Sequence, residues 1–126
     1  MMNSDEDKVP TSDSEWEAFI AAWIKAEESG KPSSDYDPDW WAVDAVITWH
    51  ITDKYEALWE FVVRAFERKM SDRVFGMIAA GPLEDLLADF GDLYIARIEE
   101  LARKNPRFNY LLGGVWKNSS NDDVWR

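Results

Sequence analysis

Cysteine is absent from the 126-residue chain. Disulfides, thiolate metal sites and cysteine nucleophiles are therefore excluded. Histidine occurs once, as His50, which leaves a single side chain suited to acid–base work near neutral pH. No apolar run approaches the roughly 20 residues of a membrane-spanning helix. Period-two alternation never persists long enough for a strand. There is no Ser-x-x-Lys, no nucleophile elbow and no glycine-rich phosphate loop. Basic residues are scarce as well. The 14 Lys+Arg face 25 Asp+Glu, a formal net charge of −11. A field of that sign repels nucleic acid and anionic lipid and attracts basic partners. Direct nucleic-acid binding and membrane binding are not expected.

The deficit of bases is concentrated. Residues 1–53 hold 13 acids and 3 bases, whereas residues 54–126 hold 12 and 11. The opening MMNSDEDKVPTSDSE is acidic and polar, the reverse of a secretory or transit peptide, so a cytoplasmic location is expected. Apolar residues make up 46% of the chain, with eight Trp, six Phe and four Tyr. That is enough to build one core at this length, and too short for two domains. The expected layout is a loose acidic tail over 1–11 and one helical domain over 12–126.

Apolar spacing predicts an all-α fold of six or seven short helices. Trp16, Phe19, Ile20, Trp23 and Ile24 form one stripe, with Ser14 and Glu17 as a capping box and Gly30 and Pro32 as the stop. In SDYDPDWWAVD, residues 34–44, Asp37 suits an N-cap, Pro38 a first helical position, and Asp39 the first turn, where the helix dipole favours an acid. The helix that follows is apolar on most of its circumference and is expected to be buried. Of Trp40 and Trp41, one should be exposed, as should Trp125. Asp53 and Glu56 suggest a cap for a third helix through Leu58, Val62 and Phe66. Gly81, Gly91 and Asn105–Pro106 then divide the remainder into short helices, and Gly113–Gly114 suits a C-cap. A last turn can start at Asp122. Short helices with tight Gly/Pro junctions suit antiparallel pairs, with an arc of the HEAT type as one arrangement.

The stretch IAAGPLEDLLADFGDLYIARIEELARKNPRFNYLLGGVWKN resembles an uncharacterised bacterial domain family of unknown function. The pattern is a Gly-Pro-Leu-Glu-x-Leu-Leu helix start and a Leu-Leu-Gly-Gly-x-Trp end. Gly81, Pro82, Leu83, Glu84, Leu86, Leu87, Gly91, Arg103, Pro106, Phe108, Leu111, Leu112 and Trp116 carry it. The resemblance starts at about residue 40, implies a small helical bacterial or phage protein, and implies no activity.

Three function classes fit these residues. The first is a non-enzymatic acidic module that binds a basic protein, such as a small bacterial inhibitor of the immunity kind. Its candidate contacts are Asp35, Tyr36, Asp37, Asp39 and Asp44, acids interleaved with aromatics. The second is a phage or mobile-element protein whose carboxylates mimic nucleic acid. The third is an enzyme using His50 with Asp53, or a hard cation held by Glu84, Asp85 and Asp89. Asp85 and Asp89 share a helix face at i, i+4. Each has an ordinary structural explanation: a packing histidine, and acids favoured in a first turn. Glu84 can also reach Arg97 or Arg103 as an ion pair. Arg64, Arg68, Lys69 and Arg73 form a local basic patch with a solvated helix end as its ordinary explanation. No catalytic residue, metal or cofactor is assigned under the first class.

Overall fold

The structure is a computed structural model that describes residues 9–30 and 38–118. Asp35, Tyr36, Asp37, Asp122 and Trp125 lie outside the described residues, so the expectations placed on them do too. The described residues are helical, with no strand among them. Helix α1 spans Asp13–Ser29, α2 Trp40–Ile51 and α3 Tyr55–Ala65. Helix α4, Asp72–Ile78, passes through a π turn at Ala79–Leu83 into α5, Glu84–Lys104, and α6 covers Pro106–Asn118. The run from Asp72 to Lys104 is unbroken, so the described residues form five continuous helices.

The helix ends follow from side-chain chemistry. The cap of α1 is Ser12, two residues before the expected one. Its hydroxyl accepts from the Glu15 N–H at 3.2 Å, while the Glu15 carboxylate accepts from the Thr11 N–H at 2.8 Å. This is a variant of the capping box, in which the N3 glutamate reaches the N–H of the residue before the cap. Gly30 closes the helix in the left-handed region, φ 71°. Helix α2 starts later than Asp37–Pro38 suggested. Asp39 occupies its N-cap but makes no capping bond there, because its backbone is already helical and its carboxylate turns to Lys25 of α1, 3.6 Å away. Asp53 does not cap α3. It sits at φ 62° and ends α2 instead: its N–H donates to the His50 carbonyl, and the Lys54 N–H to that of Trp49 at 2.8 Å. That 6→1 and 5→2 pair of bonds is a Schellman closure.

Pro82 and Gly91 mark no breaks. Pro82 lacks the N–H that an α-helical ladder would use, and the chain absorbs it by widening into a π turn rather than stopping. At Gly91 the helix only kinks, with Phe90 at φ −135°. Gly113 and Gly114 are interior to α6 rather than a C-cap, and Gly114 serves close packing. A Cβ there would lie 3.1 Å from the Ala79 Cβ of the π turn.

Helix α3 sits centrally, against α1, α2, the π turn and α5, and α1 also reaches α4. The core is aromatic. Phe19 stacks on Trp49 at 4.9 Å between centroids, and Trp23 meets Phe61 edge-on at 5.1 Å. Beyond α3, Phe66 and Trp59 both pack on Phe108 of α6. The Arg107 guanidinium donates to the Phe66 carbonyl at 2.7 Å, which satisfies an orphan acceptor at the end of α3. Helix α2 is less buried than its composition suggested. Ala42, Val43, Ala45, Val46 and Trp49 are inside, but Trp41, Ile47 and Ile51 are 40%, 51% and 72% exposed. Trp40 is half-buried, so Trp41 is the exposed member of the pair.

Candidate functional site: a carboxyl-lined cleft beside His50

The acids of α1 are largely engaged within the fold. Asp13 accepts from Arg64 of α3 at 2.9 Å, and Arg64 also holds Glu60 at 2.6 Å. Glu17 pairs with Arg68. The Glu28 carboxylate accepts from the Ser71 N–H at 2.7 Å, and this bond holds its carboxyl below the usual range. Arg73 of α4 donates to the Glu27 carbonyl at 2.7 Å. The basic patch read from the sequence is thus the counterpart of the acidic helix. The charge excess of the first 53 residues is not left standing on α1.

The acids around α2 and α5 are arranged differently. Asp85 and Asp89, one helical turn apart on α5, flank the His50 ring of α2. Asp85 Oδ2 lies 3.4 Å from Nδ1, and Asp89 Oδ2 lies 2.5 Å from Nε2. Asp53 takes no part in this. Its left-handed backbone belongs to the Schellman closure, while the His50 ring turns to α5. Glu84 joins neither the cluster nor the expected arginines: Arg97 goes to Glu56 at 3.2 Å and Arg103 to Glu100 at 2.9 Å. Among the described residues, no three His, Asp or Glu side chains are placed to hold a metal ion.

Both ring nitrogens of His50 face carboxylates. A general base needs one nitrogen lone pair directed at a substrate, with the other nitrogen oriented by a partner. In this arrangement each nitrogen already faces a carboxylate of α5. The cluster ties α2 to α5. The Asp85 carboxyl is raised above its usual range, first because it is withdrawn from water and also by the neighbouring Asp89, while His50 opposes the shift.

Asp85 also lines a cleft of about 290 Å³ where five elements meet. Helix α1 contributes Trp23 and Glu27, and α2 contributes Val43 and Ile47. Met77 of α4 and Pro82 of the π turn close the far side. The π turn displaces backbone here, which suits its frequent occurrence at functional sites. Glu27 is 9% exposed, the one buried charged residue among those described. Its carboxylate accepts no hydrogen bond from the described residues, and burial raises its carboxyl while Arg73 partly offsets the shift. Apolar walls carrying two desolvated carboxyls have the composition of a ligand site. A larger hollow of about 680 Å³ between Val9, Phe19 and Trp41 lacks such groups. Its acid, Glu15, is spent on the α1 cap.

Of the acids marked from the sequence, Asp39 is tied to Lys25, and Asp44 is half-buried on α2, one turn before Ile47. Glu27 was not among those acids. It stands four residues after Trp23 and therefore on that stripe. An acid at a core-facing position was the available signal.

The fold and site define a small all-α protein with an acid-lined cleft at a helix junction. The chain belongs to the family of unknown function DUF6869, whose model matches residues 29–126. The match starts upstream of the Trp-rich helix, taking in the end of α1. No curated protein and no solved structure matches the chain. No helix among the described residues is long and apolar enough to cross a membrane.

Proposed function

We propose that the protein is a non-enzymatic binding module that captures a basic protein partner, as a small cytoplasmic bacterial inhibitor of the immunity kind does. The observation that carries this is the contrast in charge compensation. The α1 acids meet arginines, whereas Asp85 and Asp89 meet only His50 and Asp44 has no ion pair among the described residues. On this reading α2 and α5 carry a contact face that includes Asp44, while Asp35, Tyr36 and Asp37 lie outside the described residues. Exposed Ile47 and Ile51 flank His50 on α2, and exposed Leu93 lies one turn beyond Asp89 on α5. Apolar residues ringed by charge are what an interface core and rim require. Complementary charge would speed encounter and select against acidic competitors.

The test is capture from the source cell followed by mass spectrometry, using the protein and an Asp44→Lys/Asp89→Lys variant with the same fold. A basic protein held by the first and lost by the second is expected. Equal recovery by both contradicts the reading.

A further inference from the structure

We infer that the cleft between α1, α2, the π turn and α5 is a receptor for one cationic side chain, a lysine or arginine, projecting from the partner. The inference rests on the acidic-face reading above and says where its anchor enters. Three features point to this ligand. First, Glu27 is nine-tenths buried and lines the cleft with a carboxylate that accepts no hydrogen bond from the described residues. Its oxygens are not among the fully buried atoms that lack a partner, so they open onto the cleft and can accept from a donor that enters it. Second, Asp85 supplies another carboxylate on the same cleft, and its one basic neighbour among the described residues, His50, is shared with Asp89. Third, the walls between the acids are apolar: Trp23, Val43, Ile47, Met77 and Pro82. Lysine and arginine carry an aliphatic stem below a charged head, and such stems lie along apolar surface while the head seeks polar groups. About 290 Å³ accommodates one such side chain and little more. A neutral apolar ligand would leave Glu27 unpaired, and an anion would meet two carboxylates.

Arg73 limits how negative the cleft becomes. Its guanidinium is committed to the Glu27 carbonyl at 2.7 Å and to the Met77 sulfur at 3.6 Å. It lowers the Glu27 carboxyl through its charge without bonding to it. The carboxylate therefore retains acceptor capacity for an incoming N–H group. Both carboxyls are raised by burial, so cation binding should tighten as pH rises and they ionise.

The experiment uses the full chain with n-butylammonium and n-butylguanidinium chloride as probes and n-butylurea as their neutral match. Methyl resonances of Val43, Ile47 and Met77 and the Trp23 indole resonance are followed by NMR. At least one cation should move these signals saturably, and butylurea should not. A stronger response to butylguanidinium assigns arginine, and the reverse assigns lysine. Asp85→Asn and Glu27→Gln should each weaken the cation roughly tenfold, the loss of a charge-assisted contact. If Glu27→Gln does not fold, Asp85→Asn alone decides. Absence of a saturable response, equal response to butylurea, or unchanged binding in the variants overturns the assignment. The two readings fail separately. An empty cleft with charge-sensitive partner capture removes the cleft and keeps the face. A cation-binding cleft with capture unaffected by Asp44→Lys/Asp89→Lys removes the face.

Discussion

Two seams of this molecule are rich in acid and use it differently. Between α1 and α3–α4, three carboxylates have fixed partners: Arg64 for Asp13, Arg68 for Glu17, the Ser71 amide for Glu28. Between α2 and α5, two aspartates share one histidine, and the neighbouring cleft holds a buried glutamate that accepts no hydrogen bond from the described residues. The first seam spends its charge on holding helices together. The second retains charge next to exposed isoleucines. Net charge counted along a sequence does not distinguish these cases, because a carboxylate's availability depends on what the fold brings opposite it.

The comparison can be broken by substitution, beginning with the largest effect. Phe61→Ala, under the α1–α3 seam where Phe61 packs on Phe19 and Trp23, should cost about 3–5 kcal/mol by chemical denaturation. Ile51→Ala, on the other seam and 72% exposed, should change stability by less than about 0.5 kcal/mol. Similar losses at the two sites would erase the distinction between core seam and open face.

Glu27→Gln should stabilise the protein at neutral pH by on the order of 1 kcal/mol, since burial of the charged form is relieved. The sign follows from linkage. A carboxyl raised on folding favours the folded state below its unfolded value of 4.5, and that contribution is lost as pH rises through the folded value. The advantage of the glutamine variant in Tm should therefore shrink as pH falls toward 4.5. A lowered Tm at neutral pH would mean that Glu27 is compensated after all.

Arg64→Ala should cost about 1 kcal/mol, because it removes two ion pairs and the guanidinium 5.6 Å from the Trp16 ring. Added salt should weaken only the ion-pair share of that loss. Asp89→Asn should have the smallest effect, within about 0.5 kcal/mol, as both partners are substantially exposed. If Asp89→Asn costs more than Arg64→Ala, the seams have been assigned the wrong way round.

Much of the fold was legible because helical periodicity is local. The Trp16–Phe19–Ile20–Trp23 stripe is buried as its spacing indicates, as are Leu58, Val62, Ile98 and Leu111. Punctuation was less informative. Pro82 and Gly91 have the chemistry of helix ends, yet packing on α6 and α3 carries the helix through both, at the expense of a π turn and a kink. The site was legible only in pieces. Asp85 and Asp89 were visible as an i, i+4 pair, and His50 as a lone histidine in an apolar helix. Their meeting depends on how α2 and α5 pack, across 39 residues for the closer contact, and no local rule encodes that. The same applies to Arg64 and Arg68, whose partners lie on α1.

A site-resolved NMR titration of the side-chain carboxyls in the intact protein tests the contrast between the seams most directly. The account predicts that Glu28 titrates below the ordinary 4.5, Glu27 above it, and Asp85 above the ordinary 3.8. Glu27 and Asp85 titrating at or below their ordinary values would mean that the cleft acids are already satisfied within the fold, which contradicts the account.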